Sequence, residues 1–162
     1  MMHWIEAMRR GIRATQRVGR DCRGMAIVEF ALGSGLLVAA FAGTFQIGYT
    51  LIQYNRLATA VAQGARYASL RPYDSATATP SSAFLSAVQN MVLYGSPMAG
   101  SSPVVTGLTT ANVNLRVTFA NGVPGAMQVS ITGYTIYGLF GTHTLTGKPQ
   151  VTYPYQGIWK SI

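Results

Sequence analysis

Glu29 is the residue of this sequence that most needs a chemical reason. It is a lone carboxylate in the stretch Arg23-Gly24-Met25-Ala26-Ile27-Val28-Glu29-Phe30, where a basic segment gives way to a long uncharged run. A carboxylate in an apolar helix costs free energy unless it is protonated or paired, and such a residue usually marks function. The bland alternative is a carboxylate at headgroup level, where the penalty is small. The remaining reactive groups are scattered. Glu6, Asp21, Glu29 and Asp74 are the only 4 acids, too few and too dispersed for multi-carboxylate catalysis or a hard-metal site. His3 and His143 stand alone, without the spacing of metal ligands. Asp74 lies among turn-forming residues and reads as a turn or cap. Cys22 is the single cysteine, which excludes a disulfide framework. It reads as a reduced thiol, with acylation the lesser alternative. The 9 tyrosines read as core, belt or interface residues. No nucleophile–base set and no phosphate loop is visible. The sequence therefore reads as a non-enzyme with no cofactor, no metal and no small-molecule substrate.

The elements that must position Glu29 follow from composition and charge. Hydrophobic residues make up 49% and charged residues 10%, against roughly 25% charged in an ordinary soluble domain. A disordered chain would be less apolar. The net charge is +8, and it is unevenly placed. Arg9, Arg10, Arg13, Arg17, Arg20 and Arg23 all precede residue 25, whereas Phe30 to Asn55 contains no Asp, Glu, Lys or Arg. About 20 apolar residues cross a bilayer, so this run is long enough, although Ser34, Thr44, Gln46, Thr50 and Gln53 dilute it. Basic residues before a span mark its cytoplasmic side. The N-terminus is expected inside and everything after about residue 55 outside. The charge is thus a topology signal rather than a nucleic-acid surface.

Residues 1–13 place Met1, Trp4, Ile5, Met8 and Ile12 on one helical face. They read either as a short basic amphipathic helix on the membrane surface or as an unstructured basic leader. Beyond the span, Leu57, Val61, Gly64/Ala65 and Ala68 keep the helical period, with Arg56, Gln63 and Arg66 at polar positions. One continuous helix is expected from about residue 26 to Leu70, ended by Pro72. Such a helix is roughly 65 Å long, against a bilayer core of about 30 Å. Its last third must emerge and pack on something. Tyr73 to Ser82 reads as a linker. Ser81 or Ser82 caps a short helix through Phe84, Leu85, Val88, Met91 and Val92, ending near Gly95. Val113 to Phe119 alternates as a strand. Asn121-Gly122-Val123-Pro124-Gly125 reads as a turn, and Met127 to Ile131 as the partner strand of a hairpin. After Gly133 the apolar phase shifts to Tyr134 and Ile136, which implies a bulge. Val151 to Tyr155, broken by Pro154, reads as an edge strand. The fold class is α+β. A long transmembrane helix continues into a small extracytoplasmic domain with a short helix and an antiparallel sheet, and the protruding helix completes a core that is marginal alone.

The Arg23-to-Phe30 stretch resembles the class III signal of type IV pilin-like proteins. The chain as a whole resembles the TadE-like (TadE/TadG) pseudopilins of the Flp, or tight-adherence, pilus system. The start Gly-Met-Ala-Ile-Val-Glu-Phe-Ala carries that resemblance. So does Tyr54-Asn55 with Ala62-Gln63-Gly64-Ala65-Arg66-Tyr67-Ala68, where Gln63 replaces a frequent Glu. Val129 to Tyr134 and Val151 to Tyr155 look familial too, so that the resemblance covers about residues 23–157. Two departures are the absence of Ser or Thr ahead of Glu29 and a length well beyond that of the major Flp pilin, which points to a minor subunit.

The resemblance implies cleavage by a prepilin peptidase between Gly24 and Met25. Counted from Met25, Glu29 is fifth and Phe30 sixth, the assembly and recognition positions. It implies four regions: a basic cytoplasmic leader (1–24, removed), a transmembrane helix (25–55), its extracytoplasmic continuation (56–71) and an extracytoplasmic α+β domain (72–162), pilin-like as a whole. The implied partners are the prepilin peptidase, other pilus and pseudopilin subunits, the assembly machinery and the inner membrane, with no nucleic acid. A Gly without Cβ lets a protease approach the backbone closely. The freed Met25 ammonium would pair with Glu29 of a neighbour, an attraction far stronger in a low-dielectric bundle than in water. Gly33, Gly35, Ala39, Ala40 and Gly43 would permit close helix approach; an ordinary, moderately hydrophobic anchor is their alternative. Two rival readings stand beside this one. Ala40-Phe41-Ala42 resembles a Sec signal-peptidase site, giving a secreted protein cut after Ala42. An uncut single-span membrane protein with an outer binding domain is the other.

Overall fold

The protein was examined as a computed structural model that describes residues 3–159, with side chains from 24 to 159. Its elements are α1 (His3–Leu70), α2 (Ser82–Tyr94), a 3-10 turn η1 (Thr110–Asn112), and strands β1 (Val113–Ala120), β2 (Val123–Gly138) and β3 (Gly141–Pro154). The strands form one antiparallel sheet in the order β1-β2-β3. The architecture is α+β, a long apolar helix followed by a small mixed domain, as the sequence led us to expect. Helix α1 begins at His3 rather than near residue 26. Gly11, Gly19 and Gly24 each weaken a helix by about 1 kcal/mol, but no proline removes a donor from the ladder. The apolar face expected for residues 1–13, with the side chains of His3 and Cys22, lies outside the described side chains.

The chain divides into two compact units, Met1–Phe45 and Gln46–Ile162. The first belongs to α1. Its large apolar side chains from Met25 to Phe45 are exposed.

In the second unit the end of α1 is a core element. Leu57, Ala60, Val61, Ala65 and Ala68 are buried, while Arg56, Gln63 and Arg66 are exposed, as the period requires. They share one core with Phe84, Val88 and Val92 of α2, Val113 and Val117 of β1, and Met127, Val129 and Ile131 of β2. Gly64 has a specific reason to be glycine: a Cβ there would run into Cγ2 of Val92. Helix α2 starts where Ser81 Oγ accepts from the Phe84 N–H at 3.0 Å. The same hydroxyl donates to Asp74 Oδ2 at 2.6 Å, so Asp74 braces the cap. The helix ends at Gly95 in the left-handed conformation, the usual C-terminal device.

Three expectations need correction. Tyr73 to Ser82 is not merely a linker. Tyr73 is 1% exposed, meets Phe84 edge-on at 5.2 Å and donates its hydroxyl to the Thr77 carbonyl at 2.7 Å. Its backbone N–H donates to Tyr155 Oη at 2.8 Å. The turn after β1 is Asn121-Gly122 alone, both with positive φ, and Pro124 and Gly125 belong to β2. Strand β3 begins at Gly141, not near Val151. Its first half, Gly-Thr-His-Thr-Leu-Thr-Gly, is a mostly exposed edge with little apolar alternation to betray it. The bulge expected after Gly133 is present, as register shifts on either side of Thr132 with Gly133 at φ 74.

Candidate functional site

Gly24, Met25, Glu29 and Phe30 lie in α1, and all four are exposed. Met25 and Glu29 are four residues apart, so they share one face of the helix, a turn from each other. After Arg23 the next basic residue along the chain is Arg56. A cation for Glu29 must therefore come from outside the uncharged run.

The apolar run around these residues is built to tolerate a medium without water. Ser34 Oγ donates to the Ala31 carbonyl and Thr44 Oγ1 to the Ala40 carbonyl, both at 3.0 Å. Thr50 Oγ1 donates to the Gln46 carbonyl at 3.0 Å. Gln53 Nε2 donates to Tyr49 Oη at 3.0 Å. The polar residues that dilute the run thus spend their donors within their own helix, which a bilayer core demands. The segment Gly24–Leu70 contains a window of mean hydropathy 2.0, none of which is buried inside the chain. A core helix of a soluble protein would be covered. The small-residue stripe is equally open. A Cβ at Gly24, Gly33, Gly35, Gly43 or Gly48 would meet nothing within 4 Å, so nothing in the described chain requires those glycines.

These features lie between Gly24 and Gln53, and comparison with known families picks out a stretch that contains them. Residues 24–66 match the TadE family model, described as TadE-like protein. Over those residues the helix is similar to that family. The match opens at Gly24 and ends at Arg66, leaving the sheet and the tail motifs around Val129–Tyr134 and Val151–Tyr155 outside it. Neither the curated proteins nor the solved structures yield a match. The likeness covers 43 of the 162 residues, on the segment that is long and apolar enough to cross a membrane.

Elsewhere, a cleft of about 310 Å³ opens between Tyr49 and Gln53 of the TadE-like helix and Asn112, Tyr134 and Ile136 of the domain. It offers hydroxyls and amides but no carboxylate, imidazole or cation. Tyr134 Oη donates to the Thr106 carbonyl at 3.0 Å, and burial pushes its phenol above the ordinary 10.0. Gln53 Oε1 is buried without a partner. Such a lining can hold a neutral polar group and has nothing to move a proton near neutrality. Among the described residues no three His, Cys, Asp or Glu gather as a metal site. His143 stands exposed on β3. The sequence reading overlooked the β2–β3 hairpin tip, Tyr137-Gly138-Leu139-Phe140. Its only signal was three apolar side chains around one glycine, in a stretch with no strand pattern.

Proposed function

We propose that the protein is a minor pseudopilin for assembly of Flp, or tight-adherence, pili. In this reading a prepilin peptidase removes residues 1–24. Residues 25–55 anchor the mature subunit in the inner membrane, residues 56–71 continue the helix outside, and residues 72–162 form the extracytoplasmic domain. The N-terminus faces the cytoplasm because the arginines precede the span. The observation that carries the reading is the TadE-like match opening at Gly24 on a helix whose apolar surface the chain itself leaves uncovered.

The chemistry follows from the geometry. Cleavage after Gly24 creates an ammonium on Met25, on the face that also carries Glu29. Within one subunit the helical backbone keeps these two groups on successive turns. Between subunits, an axial offset of about one turn brings the ammonium of one chain to the carboxylate of the next, so that pairing sets the register. The open glycines at 33, 35, 43 and 48 let neighbouring helices replace lipid at close range.

Intact mass on protein from its native membrane tests the processing. The expected species has 138 residues, the 162 of the chain less the 24 of the leader, and starts at Met25. Gly24→Val is expected to leave the precursor uncut. A chain starting at Gly43 would instead show Sec processing, and one starting at Met1 an uncut anchor.

A further inference from the structure

The β2–β3 hairpin ends in a two-residue turn, with Gly138 paired to Gly141. Its apolar side chains point away from the core: Tyr137 is 74%, Leu139 69% and Phe140 67% exposed. A tip of this composition in water is an unexplained cost. No Asp, Glu, Lys or Arg occurs from Val117 to Gly147. The residues flanking the tip are Thr135, Thr142, His143 and Thr144, polar groups suited to headgroup level.

The tip is also fixed to α1 at a defined height. Gln46 Oε1 accepts from the Leu139 backbone N–H. A Cβ on Gly138 would strike the Gln46 amide, so glycine at 138 is what allows the approach. Within the 25–55 segment, the roughly 20 residues of the hydrocarbon core alone, counted from Ala26 or from Phe30, end between Phe45 and Tyr49, and the residues after them reach into the headgroup layer. Gln46 falls at that boundary. The bond to Gln46 also satisfies a turn donor that would otherwise need water, which is the main obstacle to placing a loop against hydrocarbon. Beyond Gln46, α1 still exposes Ile47, Leu51 and Ile52, so the tip adjoins a surface that is itself apolar.

We propose that the hairpin tip Tyr137–Phe140 rests in the outer interface of the bilayer that α1 enters, as a second lipid contact of the domain. Aromatic and aliphatic side chains beside hydroxyls match the chemistry of that interface. With α1 as one contact and the tip as another, the tilt of the domain against the membrane and its height above it are fixed before assembly. The proposal rests on the reading of α1 as a membrane span.

The test uses the full chain with Cys22→Ser and single cysteines Leu37→Cys, Leu139→Cys or Ala78→Cys, each carrying an environment-sensitive fluorophore. The chains are reconstituted in phosphatidylcholine–phosphatidylglycerol vesicles with and without brominated acyl chains. All three positions are exposed, so labelling spares the core. Probes at Leu37 and Leu139 are expected to be quenched by bromine several-fold more than the probe at Ala78, which follows the far end of α1. Quenching at Leu37 but not at Leu139 overturns the second contact and leaves the span standing. A Leu139 probe that is blue-shifted yet unquenched reports a second copy of the chain over the tip and overturns it too. No quenching at Leu37 removes the span reading and the proposal with it.

Discussion

Gly64 is a point at which the end of α1 and the domain that follows it become one folding unit, and its substitution has a calculable sign. Gly64→Ala improves helix propensity by about 1 kcal/mol. The new methyl would overlap Val92 Cγ2 while lying 3.6 Å from Val92 Cβ, an ordinary contact distance. Val92 is fully buried and has no open side to swing toward, so overpacking of about 1–3 kcal/mol applies. The net expectation is a loss of up to about 2 kcal/mol. Val92→Ala alone removes two methyl groups at about 0.8 kcal/mol each and leaves a cavity, for a loss of about 2 kcal/mol or somewhat more. In the double variant the methyl of residue 64 enters the space that Cγ2 vacates, so the two losses should not add. A coupling of about 1–3 kcal/mol in favour of the double variant is expected. Urea unfolding of the full chain in detergent, followed by Trp159 fluorescence in a Trp4→Phe background, measures all four corners of the cycle. If Gly64→Ala exceeds the parent in stability, or if the cycle is additive, the helix–domain contact described above is wrong.

Two further predictions concern charge. Glu29→Gln is expected to leave cleavage after Gly24 and membrane level unchanged and to reduce pilus yield several hundred-fold, because breaking a buried ion pair costs about 3–5 kcal/mol; normal pilus yield would reduce Glu29 to a headgroup-level carboxylate. Burial pushes the Tyr73 and Tyr155 phenols above the ordinary 10.0. Their folded values are raised, so the stability they contribute is complete below pH 10 and is lost as pH rises from there through the folded values. Thermal unfolding should therefore hold its midpoint up to about that pH and fall beyond it. Tyr73→Phe should flatten that fall while costing about 0.5–1.5 kcal/mol at neutral pH for the lost bond to the Thr77 carbonyl.

What could be read from the sequence was whatever a period or a cap declares locally. The face Leu57-Val61-Ala65-Ala68, the Ser81 cap, the Gly95 stop and the phase shift at Gly133 each follow from residues within a turn or two of one another. Tyr73 was not legible because its burial depends on Phe84, Phe119 and Tyr155, whose rings meet it from three other parts of the chain. The first half of β3 was hidden for the opposite reason. It is an exposed edge, so neither face needs apolar residues, and only pairing with Thr132–Gly138 makes it a strand. The same held for the candidate site: Glu29 announced itself by type and surroundings, whereas the hairpin tip acquires meaning only from its bond to Gln46.

The small residues of α1 sort into two kinds that composition alone cannot separate. Gly64, Ala65 and Ala68 are small because α2 and the sheet already occupy the space beside them; enlarging Gly64 strikes Val92. Gly33, Gly35, Gly43 and Gly48 are small with nothing beside them. In a helix interior each of these costs about 1 kcal/mol relative to Ala, a cost with no return among the described residues. For an anchor that only had to sit in lipid, Ala or Leu would serve better at all four. The cost is recovered if another helix comes close enough to need a missing Cβ, which is the situation of a subunit leaving lipid for a bundle. The TadE-like match runs across both kinds of residue, from Gly24 to Arg66. It joins a stretch whose smallness its own domain explains to one whose smallness no described residue explains. Under the pilus-subunit reading proposed above, that asymmetry is what a helix leaving lipid for a bundle requires; a plain anchor has no use for it.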